Sequence, residues 1–249
     1  MENVGYRKQK QVSYQQLDTM GRMTPAAVLL ELQEAGIAHS DKLGFDFQYL
    51  ASAKRGWAVI NWHIIIHKIP RANETTNMFT WNDKIKRMQA SRSYCISDDR
   101  GNTMIEAISR WVFLDLETRH PSTVPQEMID KYHTGLEPSI PNEKYVMAKP
   151  NLGEEITTRE FLVTRRDTDS NGHANNVKYL EWAMDDVADE IYEDMDLFDI
   201  RIIYRKECRR GEVVQLKTFV TEQENHTEVI SLLLDVEGKT IAEVVTLWQ

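Results

Sequence analysis

Two kinds of hydrophobic periodicity alternate along the chain. Helical spacing comes first. After Thr24-Pro25, a capping residue followed by proline at the first helical position, Val28, Leu29, Leu32 and Ala35 share one face, and Gly36 offers a stop. Strand-like runs rich in β-branched and aromatic residues follow at 57–69, 75–81, 89–97 and 103–115. The same order then recurs. Past Asn175-Asn176 a stripe of Val177, Leu180, Ala183, Met184, Val187, Ala188 and Ile191 faces one way. Lys178, Glu181, Asp185, Asp186 and Asp189 lie opposite, as a solvated face. Runs at 199–208, 212–221, 227–235 and 240–248 come next. One helix with four or more antiparallel strands predicts a curved sheet wrapped around a helix, twice over, an α+β chain.

A residue-level repeat supports the duplication. Gly101, Thr103, Glu106, Ser109 and Trp111 share their spacing with Gly238, Thr240, Glu243, Thr246 and Trp248, 137 residues further on. Between the halves, 117–154 holds five of the seven prolines, a density that denies donors to a sheet and predicts a connection with one short helix at 126–132. The expected division is a unit at 1–116, a linker at 117–154 and a second unit at 155–249.

Composition narrows the function classes. Thirty Lys+Arg against thirty-nine Asp+Glu give a formal charge of -9, which repels phosphate and argues against nucleic acid. The longest apolar stretch is broken by Asn61, His63, His67 and Lys68, short of the roughly 20 residues a membrane span needs. Two cysteines, Cys95 and Cys208, provide neither a disulfide framework nor a metal-ligand set. The N-terminus lacks the apolar core of a signal peptide, so a cytoplasmic location is expected.

The densest polar cluster runs from Asp167 to Asn176, directly ahead of the second helix. Asp, Asn and Gly are ordinary turn and cap residues, but neither a turn nor a cap needs His173. Aligning Gly21 with Gly172 places Asp18 with Asp169, Met20 with Asn171, Arg22 with His173 and Thr24 with Asn175. The first copy therefore keeps the turn and lacks the amide and imidazole, which suggests one chemical site. A second cluster, Tyr204-Arg205-Lys206-Glu207-Cys208-Arg209-Arg210, follows on the next run. Strand alternation there puts Glu207 and Cys208 on opposite faces, so one of them is expected to enter the site. A carboxylate serves as a general base; a thiolate, favoured by the neighbouring cations, serves as a nucleophile.

Asp169-Ser170-Asn171-Gly172-His173-Ala174-Asn175-Asn176-Val177-Lys178-Tyr179 and Tyr204-Arg205-Lys206-Glu207-Cys208 match a D-x-N-x-H-x-N-N-x-K-Y segment followed by Y-R-[RK]-E-C. In these motifs, and in its duplicated plan, the chain resembles the acyl-acyl carrier protein thioesterases of plants and bacteria. The resemblance implies two tandem hotdog units and hydrolysis of fatty acyl thioesters on acyl carrier protein. It implies no metal and no organic cofactor. Catalytic roles pass to Asp169, Asn171, His173 and Glu207, with Asn171 and the helix N-terminus as oxyanion site; a Cys–His–Asn arrangement would instead put Cys208 forward. The absence of a transit segment favours the bacterial type. The first unit is the candidate acyl pocket, with Val28, Leu29, Leu32, Val59, Trp62 and Ile64 lining it or else forming ordinary core. Because the carrier is acidic, Arg165, Arg166, Arg205, Lys206, Arg209 and Arg210 are expected to dock it. The competing readings are a hotdog thioesterase acting on acyl-coenzyme A and a non-catalytic acyl-binding module. Two units in one chain can pair internally, so a monomer and a homodimer are both compatible.

Overall fold

A computed structural model describes residues 5–141, 153–169 and 171–249. Ser170 and the stretch 142–152, including Pro150 of the expected linker, lie outside the described residues. The chain divides into two units, Met1–Asn142 and Glu143–Gln249.

The first unit runs β1 (Tyr6–Gln11), α1 (Pro25–Lys42), α2 (Phe47–Ser52), β2 (Arg55–Ile66), β3 (Thr75–Lys86), β4 (Gln89–Ser97), β5 (Thr103–Asp115) and α3 (Gln126–Tyr132). Its strands pair antiparallel in the order β1-β3-β4-β5-β2. The second runs β6 (Glu154–Leu162), α4 (Asn176–Met184), α5 (Asp189–Asp194), β7 (Leu197–Tyr204), β8 (Val213–Glu222), β9 (Thr227–Leu234) and β10 (Thr240–Trp248). Its order is β7-β10-β9-β8-β6, again antiparallel. Each unit thus has an extra edge strand ahead of its helix, β1 or β6, that the hydrophobic pattern does not announce. Edge strands tolerate a polar sequence such as Tyr6-Arg7-Lys8-Gln9-Lys10-Gln11, and charge there discourages pairing with other chains.

The spaced repeat has a physical reading at most of its positions. Gly101 and Gly238 sit at the β4–β5 and β9–β10 turns, where Asp98 and Asp235 each accept two backbone N–H groups from the turn. Glu106 pairs with His67 and Glu243 with Arg205, the equivalent residue of the other unit. The indoles of Trp111 and Trp248 donate to the hydroxyls of Ser109 and Thr246, at 2.6 and 2.8 Å. A glutamate, a hydroxyl and an indole recur because the same three contacts recur.

Three expectations need correction. Helix α1 passes through Gly36 and ends at Lys42. Gly36 is instead a point of close approach, since a Cβ there would lie 3.2 Å from the Tyr94 hydroxyl and 3.3 Å from Arg92 Cδ. The neighbourhood is polar and buried: Arg92 Nη1 donates to His39 Nδ1 at 2.8 Å. Burial, then the Arg92 charge, push His39 down to about 3, so its ring is neutral and able to accept.

Second, the long stripe after Asn175 is two helices. Arg159, reaching from β6, donates to the Trp182 carbonyl at 3.0 Å and pairs with Asp186 at 2.5 Å, and Thr157 adds a bond to the same carboxylate. Asp186 is therefore tied down at the end of α4 and is not part of a solvated face. Val187 and Ile191 still pack with Val229 and Trp248.

Third, 117–141 folds with the first unit. Val124, Met128 and Tyr132 join Phe45 and Phe113 in one buried cluster. The N–H groups of Ser122 and Val124 bond to Phe113 and Arg87, and the Trp81 indole donates to the Glu137 carbonyl. Proline density here marks an extended segment laid over the unit and closed by a helix.

Candidate active site

The site begins with a turn that shapes itself. Thr164 donates both its N–H and its hydroxyl to the Asp167 carboxylate, closing the short 3₁₀ turn Arg165–Asp167. Asp169 then accepts the N–H groups of Asn171 and His173 on Oδ1, at 2.8 and 3.2 Å, while its own N–H bonds to the His173 carbonyl. Gly172 stands at φ +77°, left-handed backbone that favours glycine. Asn175 caps α4 by accepting the Val177 N–H at 3.0 Å, and its carbonyl accepts Lys178 N. Asn176 is the first residue of α4, so its N–H points out of the positive end of the helix, where backbone N–H groups have no intrahelical acceptor.

The second segment arrives by a route that alternation does not predict. Strand β7 stops at Tyr204, because the N–H groups of Arg205 and Lys206 both bond to the Ile241 carbonyl. Glu207 and Cys208 therefore lie beyond the strand. Ala174 N donates to the Cys208 carbonyl at 2.8 Å, and His173 bridges Arg209, which lays this segment against the loop. Glu207 turns out toward the loop, its Oε2 3.2 Å from His173 Nε2. Its side chain is 45% exposed and that of His173 17%, so water reaches the pair.

Cys208 turns inward and is fully buried, 3.2 Å from the Tyr179 hydroxyl. Burial pushes its thiol up, against the expectation that neighbouring cations would favour a thiolate. Two of those four cations are directed elsewhere: Arg205 pairs with Glu243 and Lys206 with Asp235.

The structure brings Glu207 and His173 together and uses Asp169 to hold the backbone of Asn171 and His173. Asn171 is exposed, its amide 3.5 Å from Asp169 Oδ2. Tyr179 and Tyr204, motif residues to which the sequence assigns no role, form a ring pair beneath, the first buried and the second half-buried, with centroids 5.4 Å apart. Their place at the ends of the two motif segments was the available signal.

The first unit repeats this scaffold without its chemistry. Asp18 accepts the N–H groups of Met20 and Arg22, Gly21 has φ +69°, and Met23 N bonds to the Pro70 carbonyl. Arg22 closes the loop with a 2.9 Å ion pair to Asp18 and occupies the place of His173. The matched bonds and the bridge from Arg22 to Arg71 put Ile69 in the place of Glu207. Val28, Leu29, Leu32, Val59, Trp62 and Ile64, the acyl candidates, are all buried core positions of this unit. Arg165, Arg166, Arg209 and Arg210 are exposed on adjoining loops, joined through bonds between Val163 and residues 211–212.

Residues 3–132 match the acyl-ACP thioesterase N-terminal domain and residues 151–249 its C-terminal domain. An oleoyl-acyl carrier protein thioesterase of Arabidopsis thaliana chloroplasts is 28% identical over 224 residues, 84% of this chain and 60% of the relative. A chloroplastic acyl-[acyl-carrier-protein] hydrolase of Cuphea viscosissima is 30% identical over 200 residues, 78% of this chain and 48% of the relative. The chain thus spans about half to three fifths of these relatives' length. An acyl-ACP thioesterase from Bacteroides thetaiotaomicron superposes with TM-score 0.85 at 21% identity, covering 98% of this chain and 97% of that one. The 12:0-ACP thioesterase from Umbellularia californica gives 0.87 at 21%, covering 100% and 98%. These likenesses identify the fold as α+β, a double hotdog in one chain. With one domain profile spanning more than half the sequence and a second covering most of the rest, the chain belongs to the acyl-ACP thioesterase family.

Proposed function

We propose that this chain hydrolyses fatty acyl thioesters of acyl carrier protein, releasing free fatty acid and carrier. The observation that carries the proposal is the Glu207–His173 contact at the N-terminus of α4, present in one unit and replaced by Ile69 and Arg22 in the other. In this reading Glu207, hydrogen-bonded to His173, takes a proton from water as the water oxygen attacks the thioester carbonyl carbon. The developing oxyanion faces the Asn176 N–H and the Asn171 amide. Collapse breaks the C–S bond, and the carrier thiolate leaves with the proton that Glu207 and His173 hold. Asp169 fixes the loop that presents both Asn171 and His173. The reaction draws on a base, a polarised carbonyl and water, with no metal or organic cofactor in any step.

The test is release of free thiol from acyl-carrier substrates of graded chain length, with acyl-coenzyme A in parallel. Faster release from carrier than from coenzyme A is expected. Equal rates favour the coenzyme A reading, and acyl binding without thiol release favours the binding module.

The four exposed arginines form the docking face in this proposal. Their first-unit counterparts are Tyr14, Gln15, Arg71 and Ala72, so three of the four charges belong to the site-bearing unit alone. Reversal of Arg165 and Arg209 to Glu together is expected to raise KM for acyl-carrier substrate roughly tenfold at low salt, with kcat nearly constant. An unchanged KM at low ionic strength rejects this face.

The acyl chain is assigned to the first unit, beside Leu29 and Leu32 of α1. Leu32→Phe is expected to shift the optimum to shorter chains and Leu32→Ala to longer ones. Each methylene gained or lost should change kcat/KM about fourfold, from roughly 0.8 kcal/mol per buried CH₂. The same chain-length profile in both variants and in Leu29→Phe assigns these residues to ordinary core.

A further inference from the structure

Beneath the Glu207–His173 pair lies a buried cluster that the proposed mechanism does not use. Tyr179, on the first turns of α4, places its hydroxyl 3.2 Å from both the N–H and the sulfur of Cys208. That N–H belongs to the residue following Glu207, and the carbonyl of the same residue accepts Ala174 N at 2.8 Å. Cys208 is therefore held from both sides of its backbone, by the helix below and by the loop above. Tyr204 packs edge-on against the Tyr179 ring at 5.4 Å, and its own hydroxyl donates to the Asn176 carbonyl at 2.9 Å. Burial pushes the Tyr179 phenol up, which keeps it neutral and able to donate to sulfur while it accepts from the N–H.

The first unit supplies the comparison. By the matched caps of the two helices, Val28 stands where Tyr179 does. By the matched backbone bonds of Met23 and Ala174, Pro70 stands where Cys208 does. Proline has no N–H, and valine has nothing to receive one. The hydroxyl and its N–H partner thus occur together in the unit that has the carboxylate and imidazole, and are both missing from the unit that has neither. A purely structural brace would serve either copy, because the scaffold around it is the same.

We infer that Tyr179 is a positioning residue: through the Cys208 N–H it fixes the 207–208 backbone so that Glu207 meets His173. This rests on the proposed hydrolysis for its kinetic consequence but not for its geometry. Cys208 then contributes its backbone to the site, and its sulfur fills the space under the phenol.

The experiment is Tyr179→Phe in the full chain, read in two ways. In a crystal structure of the variant the His173 Nε2–Glu207 Oε2 distance is expected to open beyond hydrogen-bond reach. This readout does not depend on which thioester is the substrate. In thiol-release assays kcat is expected to fall roughly 10- to 100-fold, the scale of a 1 Å misplacement, with KM within about twofold. Once Glu207→Gln is present, adding Tyr179→Phe should cost no further activity, because the hydroxyl acts through that carboxylate. Tyr204→Phe, which loosens the same cluster without touching Cys208, is expected to keep kcat within about threefold. If Tyr179→Phe does not fold, Cys208→Pro deletes the same hydrogen bond from its other end and is read the same way. A contact still at hydrogen-bond distance in the variant, a kcat equal to the unmodified chain's, or an equal loss from Tyr204→Phe overturns the inference. Absence of thiol release by the unmodified chain would instead reject the proposed hydrolysis, with the crystallographic distance still deciding the role of Tyr179.

Discussion

Glu207→Ala is expected to lower kcat by roughly 10²- to 10⁴-fold, the range of a lost general base, while the protein remains folded and acyl substrate still binds. The carboxylate is half exposed and rests against His173, so its removal opens no cavity and strands no buried charge. A stability loss under about 0.5 kcal/mol should therefore accompany the loss of rate. The companion variant is Cys208→Ala, expected to keep at least a third of the activity. Its thiol is buried and pushed up by desolvation, so at neutral pH it is a poor nucleophile with no path to substrate. The two variants separate the mechanisms cleanly. Full activity in Glu207→Ala with near-total loss in Cys208→Ala would restore the thiol as nucleophile and remove the carboxylate as base.

Why one residue of that pair faces water and its neighbour faces the core was only half legible in the sequence. Alternation gives opposite faces to adjacent strand residues, and the opposite faces are real. The strand is not: β7 ends at Tyr204 in a bulge made by two N–H groups sharing the Ile241 carbonyl, a partner 36 residues away from Arg205. The same division runs through the rest of the chain. Local signals were readable, such as the Thr24-Pro25 start of α1, the Asp–Gly turns at 169–172 and 18–21, and the repeated Glu, hydroxyl and Trp of β5 and β10. Features set by a distant partner were not. Gly36 looks like a helix stop, and about 1 kcal/mol of propensity is lost there, but the space it leaves admits Tyr94 and Arg92 from β4. The stripe after Asn175 looks continuous until Arg159 from β6 takes the Trp182 carbonyl and the Asp186 carboxylate. The edge strands carry so little apolar pattern that composition alone describes them as loops.

Proline density misdirected the reading of 117–141 most, and the consequence is measurable. Met128→Ala is expected to destabilise the first unit by about 2–5 kcal/mol, the cost of truncating a buried methionine where the surroundings cannot collapse. The side chain is fully buried with Phe45, Phe113, Val124 and Tyr132, and the elements around it are fixed by independent bonds. Tyr132 donates to Ser40 at 2.6 Å, stacks on Phe45 at 5.5 Å and meets the neutral His39 ring edge-on at 5.8 Å. The Tyr132 ring is therefore held from three sides and cannot slide into the space that Met128 leaves. At typical slopes of 1–3 kcal/mol per molar urea, the midpoint of the first-unit transition should drop by about 1–2 M. Glu127→Ala on the outer face of the same helix removes only an exposed 2.9 Å pair with Lys131 and should stay within about 0.5 kcal/mol. A linker helix would show the small effect at both positions, whereas a helix that completes the core shows it at Glu127 alone. The difference decides whether a chain ended near residue 116 leaves an intact first unit or one with Phe45 and Phe113 laid open to water.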